Sequence, residues 1–209
     1  ENMLQELPIR DVVSWNALIA AYTQHSQDHQ ALNCFERMQS EGISPDEVSF
    51  ICILKACGSI AAIDKGKKIH DDIVIEIRKQ GLLHKDKVLR STSVDMYVKC
   101  GALDKARETL EELPIRDVVS WTALVGGYVE HGFGEEALDC FDQMQNEGLY
   151  PDIVTFICML KVCGSTRAIA KGKLIHEEIK NNRDLLEKDI ALGNALVDMY
   201  VKCSMLTKA

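Results

Sequence analysis

Four groups of residues in this chain have side chains suited to a site. Eight cysteines are potential metal ligands or nucleophiles. His176-Glu177-Glu178 sets a histidine two residues before a carboxylate, the first half of a zinc-deaminase signature. Lys65, Lys67 and Lys68, matched by Lys171 and Lys173, offer cations to phosphates or to a solvated outer face. Asn16, Ser91, Thr122 and Asn194 place short hydrogen-bonding groups on otherwise apolar stretches. The metal readings fail on spacing. Cys52 and Cys57 would lie about 140° apart around a helix, unsuited to one ion, and no P-C-x-x-C partner exists to complete a deaminase site at His176.

Each group also occurs twice. Cys34, Cys52, Cys57 and Cys100 recur as Cys140, Cys158, Cys163 and Cys203, and His70-Asp71-Asp72 is the earlier counterpart of His176-Glu177-Glu178. Groups that recur in register belong to a packing pattern, so the cysteines are expected to be buried, reduced and apolar in role. The same logic assigns His25 and His131 to a solvated helix end, and Trp15 and Trp121 to the core. No catalytic residue, metal or cofactor is expected.

The elements that must position these residues follow from the repeat. ELPIRDVVSW occurs at residues 6–15 and again at 112–121, an offset of 106 that also pairs Tyr22 with Tyr128, Pro45 with Pro151 and His70 with His176. Three extra residues near Arg78 to Leu83 then reduce the offset to 103, which pairs the MYVKC at 96–100 with that at 199–203. Trp15, Leu18, Ile19 and Tyr22 have helical spacing, as do Ala31, Leu32, Phe35 and Met38 after a polar break at residues 26–29. Gly42 ends that second helix, and Pro45 prevents its continuation. The next segment predicts a helix through Phe50, Ile53, Leu54 and Cys57, a break at Gly58-Ser59, and a helix through Ile69, Ile73 and Ile77. A third pair is split at Gly101 and runs to Pro114. Helices this short are marginal alone and must be stabilised by their neighbours. The expected fold is all-α, a right-handed α-solenoid superhelix of stacked helix-turn-helix repeats over residues 1–209.

Composition agrees with a folded chain: 46% of the 209 residues are hydrophobic and 27% charged. Without an apolar run of about 18 residues, no membrane partner is expected. A net charge of −8 opposes extensive phosphate contact. Glu1 and Ala209 each fall inside a repeat, which reads as part of a longer array.

VVSWNALIAAY with ALNCFERMQSEGISPD, and the copy VVSWTALVGGY with ALDCFDQMQNEGLYPD, resemble pentatricopeptide repeats, and the three alternating unit lengths resemble the PLS class of plants. On this resemblance residues 12–46 form a P-like unit, 47–86 an L-like unit and 87–117 an S-like unit. Residues 118–152 and 153–189 repeat P and L, with partial S-like units at 1–11 and 190–209. Such repeats read single-stranded RNA at one base per unit with two or three side chains. The resemblance implies that the fifth and last residues of a unit meet a base edge, while the second packs between bases.

The implied base-reading residues are Asn16 with Asp46, Ser91 with Asp117, Thr122 with Asp152, and Asn194. An amide that both donates and accepts suits a pyrimidine, and a hydroxyl with a carboxylate suits the donors of guanine. Ile51 with Asp86 and Ile157 with Asp189 are expected to specify their bases weakly. Val13, Val48, Val88, Val119 and Val154 are the implied wedges, with Ala191 a smaller substitute. The closing aspartates also suit helix caps, and both roles can coexist. The resemblance further implies a non-catalytic array serving organellar RNA editing or processing in mitochondria or chloroplasts, with editing or processing factors supplied in trans. The acidic balance favours a second reading, a protein–protein scaffold.

Overall fold

The computed structural model describes residues 11–80, 87–113, 115–181 and 189–203, the side chains of 76–80 and 87 excepted. Eleven helices and no strand occur among them. The chain divides into two compact units, Glu1–Ile115 and Arg116–Ala209. The first contains α1 (Val12–Gln24), α2 (Asp28–Ser40), α3 (Glu47–Ser59), α4 (Ile63–Gln80), α5 (Lys87–Lys99) and α6 (Leu103–Glu111). The second contains α7 (Val118–Glu130), α8 (Gly134–Asn146), α9 (Ile153–Thr166), α10 (Ile169–Asn181) and α11 (Ile190–Lys202).

Both units are built alike. The first helix of each pair packs on its own second helix and on the next first helix: α1 on α2 and α3, then α3 on α4 and α5. In the second unit α7 contacts α8 and α9, and α9 contacts α10 and α11. The apolar stripe read from the sequence faces these contacts. Trp15, Ile19, Ala31, Leu32, Phe35 and Met38 are buried, as are Phe50, Ile53, Leu54 and Cys57. Phe35 meets Phe50 with ring centroids 6.1 Å apart, and Phe141 meets Phe156 at 6.4 Å. Both tryptophans are core residues, each 1% exposed. The Trp121 Nε1–H donates to Glu147 at 3.0 Å, whereas Trp15 Nε1 is buried without a partner. The guanidinium of Arg37 lies 5.6 Å from the centre of the Trp15 ring.

The helix ends follow their sequence signals in most places. Gly42 and Gly148 adopt φ of 77° and 75° and stop the second helices, where a left-handed residue turns the chain and only glycine does so without strain. The break expected at Gly58-Ser59 is a correction. Helix α3 runs through both residues, and the chain turns at 60–62, with Ala61 at φ 52°. Gly58 serves close approach instead. A Cβ there would sit 3.4 Å from Met96 Cα and 3.2 Å from Lys99 Cδ, and Gly164 repeats this against Met199 and Lys202. The cysteine expectation also needs correction. Cys34, Cys57, Cys140 and Cys163 are buried, but Cys52, Cys100, Cys158 and Cys203 are only half-buried. Burial pushes the Cys57 thiol up to about 12 and Cys163 up to about 11, so both stay protonated.

Gly58→Val should overpack the α3–α5 contact and lower stability by about 1–3 kcal/mol, and Gly164→Val should do the same in the second unit. Gly126 has nothing within 4 Å of an added methyl. Gly126→Ala should therefore raise stability by about 0.4–1 kcal/mol. Urea unfolding of the three variants followed by circular dichroism checks both signs.

Candidate functional site

Every described first helix other than α5 begins on an aspartate in extended backbone: Asp11, Asp46, Asp117, Asp152 and Asp189. One carboxylate oxygen of each accepts from the backbone amide three residues on, at 2.8 to 3.0 Å. This is the capping role that short acidic side chains perform at an N-terminus. It also fixes the aspartates at the junctions between units. Asp86, the corresponding residue before α5, lies outside the described residues.

Stacking of α1 on α3 brings the fifth residue of the P-like unit to its last. The Asn16 Nδ2–H donates to Asp46 Oδ1 at 2.8 Å, and the Ser49 hydroxyl donates to Asn16 Oδ1 at 2.5 Å. The second unit repeats the arrangement with different chemistry. Thr122 Oγ1 lies 3.4 Å from Asp152 Oδ1 and 2.6 Å from Thr155 Oγ1. Burial alone would push the Asp46 carboxyl up. The Ser49 amide and the Asn16 and Ser49 side chains outweigh it and hold Asp46 below its ordinary value. The bonds from Asn16 and from the Ser49 amide and hydroxyl all fall on Oδ1.

The wedge positions form the apolar part of the site. Val13, Val48, Val88, Val119 and Val154 are 68%, 51%, 56%, 68% and 56% exposed, although each is a large apolar residue in a well-packed helix. Exposure at one position in every unit is a property of the repeat, since scattered apolar residues would follow no register. Each valine precedes the fifth residue by three, so the two share one face of the first helix. Ala191 is exposed at the equivalent place in α11.

Other expected residues are placed as follows. Ile51 and Ile157 are half-buried and carry no polar group; Asp189 caps α11, and Asn194 is exposed on it. Ser91 donates to the carbonyl of Val88 at 2.9 Å within the first compact unit, while Asp117 caps α7 in the second. Of the lysines, Lys65 binds Glu36 at 2.8 Å and Lys171 binds Asp142, joining consecutive second helices. His70 Nδ1 meets the Tyr97 hydroxyl at 2.9 Å, and His176 Nδ1 meets that of Tyr200 at 2.7 Å. Burial holds His70 below its ordinary pKa. These two histidines therefore join α4 to α5 and α10 to α11. Among the described residues no group of three or more His, Cys, Asp or Glu is arranged to hold a metal. No described helix is long and apolar enough to cross a membrane.

Two residues at the site, Ser49 and Thr155, have no place in the sequence-based site. Their signal was the hydroxyl at the third position of successive units, which reads as an ordinary helix-start residue until the stacking is known.

A model of the pentatricopeptide repeat family matches residues 10–59 and 116–165. The chain belongs to the pentatricopeptide repeat family. It is 34% identical over 214 residues to the chloroplastic pentatricopeptide repeat-containing protein DOT4 of Arabidopsis thaliana, covering 100% of this chain and 23% of that protein. It is 36% identical over 208 residues to a putative mitochondrial pentatricopeptide repeat-containing protein of the same plant, covering 99% of this chain and 32% of the relative. The chain thus spans about a third or less of these relatives. In fold it is similar to the pentatricopeptide repeat protein PPR10, solved in complex with an 18-nucleotide psaJ RNA element, with TM-score 0.77 and 18% identity over 99% of this chain and 30% of that one.

Asp46→Ala should lower stability at neutral pH by about 0.5–2 kcal/mol, the usual worth of a helix cap. Because the folded-state pKa of Asp46 is depressed, its contribution is present above the ordinary carboxylate value and is lost as pH falls through the folded one. The gap between wild type and variant should therefore close in acid. Unfolding midpoints measured from neutral pH down to acid check this.

Proposed function

We propose that this pentatricopeptide repeat chain binds single-stranded RNA and reads one base per unit, in the P, L, S order of the PLS class. The observation that carries the reading is the meeting of the fifth and last residues of both P-like units beside an exposed valine. Asn16 with Asp46 reads U or C; Thr122 with Asp152 and Ser91 with Asp117 read G. Asn194 reads a pyrimidine, and Ile51 with Asp86 and Ile157 with Asp189 leave their bases unspecified. The site register is 5′-U/C, any, G, G, any, pyrimidine-3′. The RNA-bound state of PPR10 supports the partner class.

The chain acts without catalysis of its own. It selects transcripts for organellar editing or processing performed by factors in trans, in the chloroplast or mitochondrion, the compartments in the names of its relatives. The net charge of −8 favours one alternative, a scaffold for a protein partner.

Asn16→Thr with Asp46 retained should move the preference at that base from U toward G. A good base-reading pair is worth about 1–3 kcal/mol, so the shift should be roughly 5- to 150-fold. Fluorescence anisotropy with oligonucleotides varied at that base measures it, and equal affinities of both proteins for U and G would sink the base-reading account. Wild-type affinity should depend weakly on salt, equivalent to about two to four released counterions at a slope near 0.7 each. Steep salt dependence without sequence dependence would mean non-specific binding, and no RNA binding at low salt would favour the scaffold.

A further inference from the structure

We infer that Ser49 and Thr155, each the third residue of the unit that follows, set which hydrogen-bonding groups Asn16 and Thr122 present to a base. Specificity at a slot then belongs to two adjacent units. The inference rests on the base-reading proposal and adds positioning residues to it.

Thr155 is fully buried and has one hydroxyl proton. Its Oγ1 lies 2.8 Å from Asp152 Oδ1, and the carboxylate can only accept, so the proton goes there. Thr155 Oγ1 must then accept at its 2.6 Å contact with Thr122, which consumes the Thr122 proton. Thr122 is left with lone pairs alone, next to a carboxylate. Such a slot presents only acceptors and fits the donor edge of guanine, N1–H and N2–H₂.

At the other P-like unit the same position produces a different slot. The buried Ser49 hydroxyl has one proton and two acceptors, Asn16 Oδ1 at 2.5 Å and Asp46 Oδ1 at 3.0 Å; Asn16 Oδ1 has no proton to give, so the shorter contact takes it, while Asn16 Nδ2 donates to Asp46 Oδ1 at 2.8 Å. These two bonds fix the amide against rotation by half a turn. One N–H and one carbonyl lone pair remain for a ligand, a mixed pattern that fits a pyrimidine edge. Ser49 also holds Asp46 through its backbone amide at 2.9 Å. One third-position residue thus orients both members of the pair.

The sequence carries the rule through the five unit junctions whose preceding fifth residue lies in the chain. Polar fifth residues Asn16, Ser91 and Thr122 are followed, at the third position of the next unit, by Ser49, Ser120 and Thr155. Apolar fifth residues Ile51 and Ile157 are followed by Leu89 and Leu192. Leu89 and Leu192 are buried, as the hydroxyl residues are. Across these junctions a hydroxyl follows each polar fifth residue and a leucine each apolar one.

The test uses the 209-residue chain and RNA oligonucleotides carrying each of the four bases at the Thr122 slot or the Asn16 slot, with an abasic control. Thr155→Val removes the hydroxyl at constant shape. It should reduce the G preference at the Thr122 slot from roughly 5- to 150-fold to about twofold or less. The thermal midpoint, the affinity for the abasic oligonucleotide and the pyrimidine preference at the Asn16 slot should stay near wild type. Thr155→Ser should restore G preference. Ser49→Ala should relax U/C preference at the Asn16 slot alone, and Ser49→Thr should retain it. Unchanged discrimination in both Thr155→Val and Ser49→Ala would overturn the inference while leaving base reading intact. Loss of folding in both would also overturn it, by making the hydroxyls a requirement of the fold. A wild-type chain that binds RNA without preference at either slot would defeat the base-reading proposal itself.

Discussion

A helix begins with backbone amides that no residue within it can satisfy, and in this chain an aspartate oxygen meets that need at Asp11, Asp46, Asp117, Asp152 and Asp189. At Asp46 and Asp152 the cap also fixes the carboxylate within reach of the preceding first helix, at Asn16 and Thr122. Stability and the proposed recognition therefore share an atom group. Oδ1 of Asp46 closes the α3 terminus and holds Asn16, so the side chain that starts one helix also orients a residue of another. A glutamate would reach differently and an alanine not at all. The same constraint explains why the aspartate pattern survives where the fifth residue is Ile157 and there is nothing polar to orient.

Between L-like and S-like units a different set of contacts takes over. Gly58 and Gly164 let α3 and α9 approach the backbones of α5 and α11, and Met96 and Met199 lie against Gly66 and Gly172. His70 with Tyr97, and His176 with Tyr200, add a hydrogen bond and an edge-on ring contact at the same interfaces. These junctions are close-packed and mostly apolar, and their fifth residues are isoleucines. The P-to-L junctions instead carry the buried polar network. In each copy the array thus alternates a junction that holds hydrogen-bonding groups with one that holds packing groups.

Ion pairs occur on first and second helices alike. Lys65 with Glu36, Lys99 with Asp95, Lys171 with Asp142 and Lys202 with Asp198 pair cations with carboxylates at partly to largely exposed positions. Such surface pairs are worth roughly 0–1 kcal/mol each, so they contribute little to holding the helices together. The fold depends far more on Trp15, Phe35, Phe50 and their counterparts, each almost wholly removed from water.

The sequence by itself determined the helical class and the identity of the polar and apolar positions. A period that recurs over whole units constrains every residue in register, and caps and glycine stops act within a few residues of the chain. It misread Gly58, because a glycine that ends a helix and one that admits a neighbouring backbone look alike until the neighbour is present. It also passed over Ser49 and Thr155, whose bonds to Asn16 and Thr122 span more than 30 residues. Only the tertiary structure decided which hydroxyl faces which amide, and that the valines at the second position stay exposed. Helical periodicity states which side a residue is on, whereas stacking decides what, if anything, covers that side.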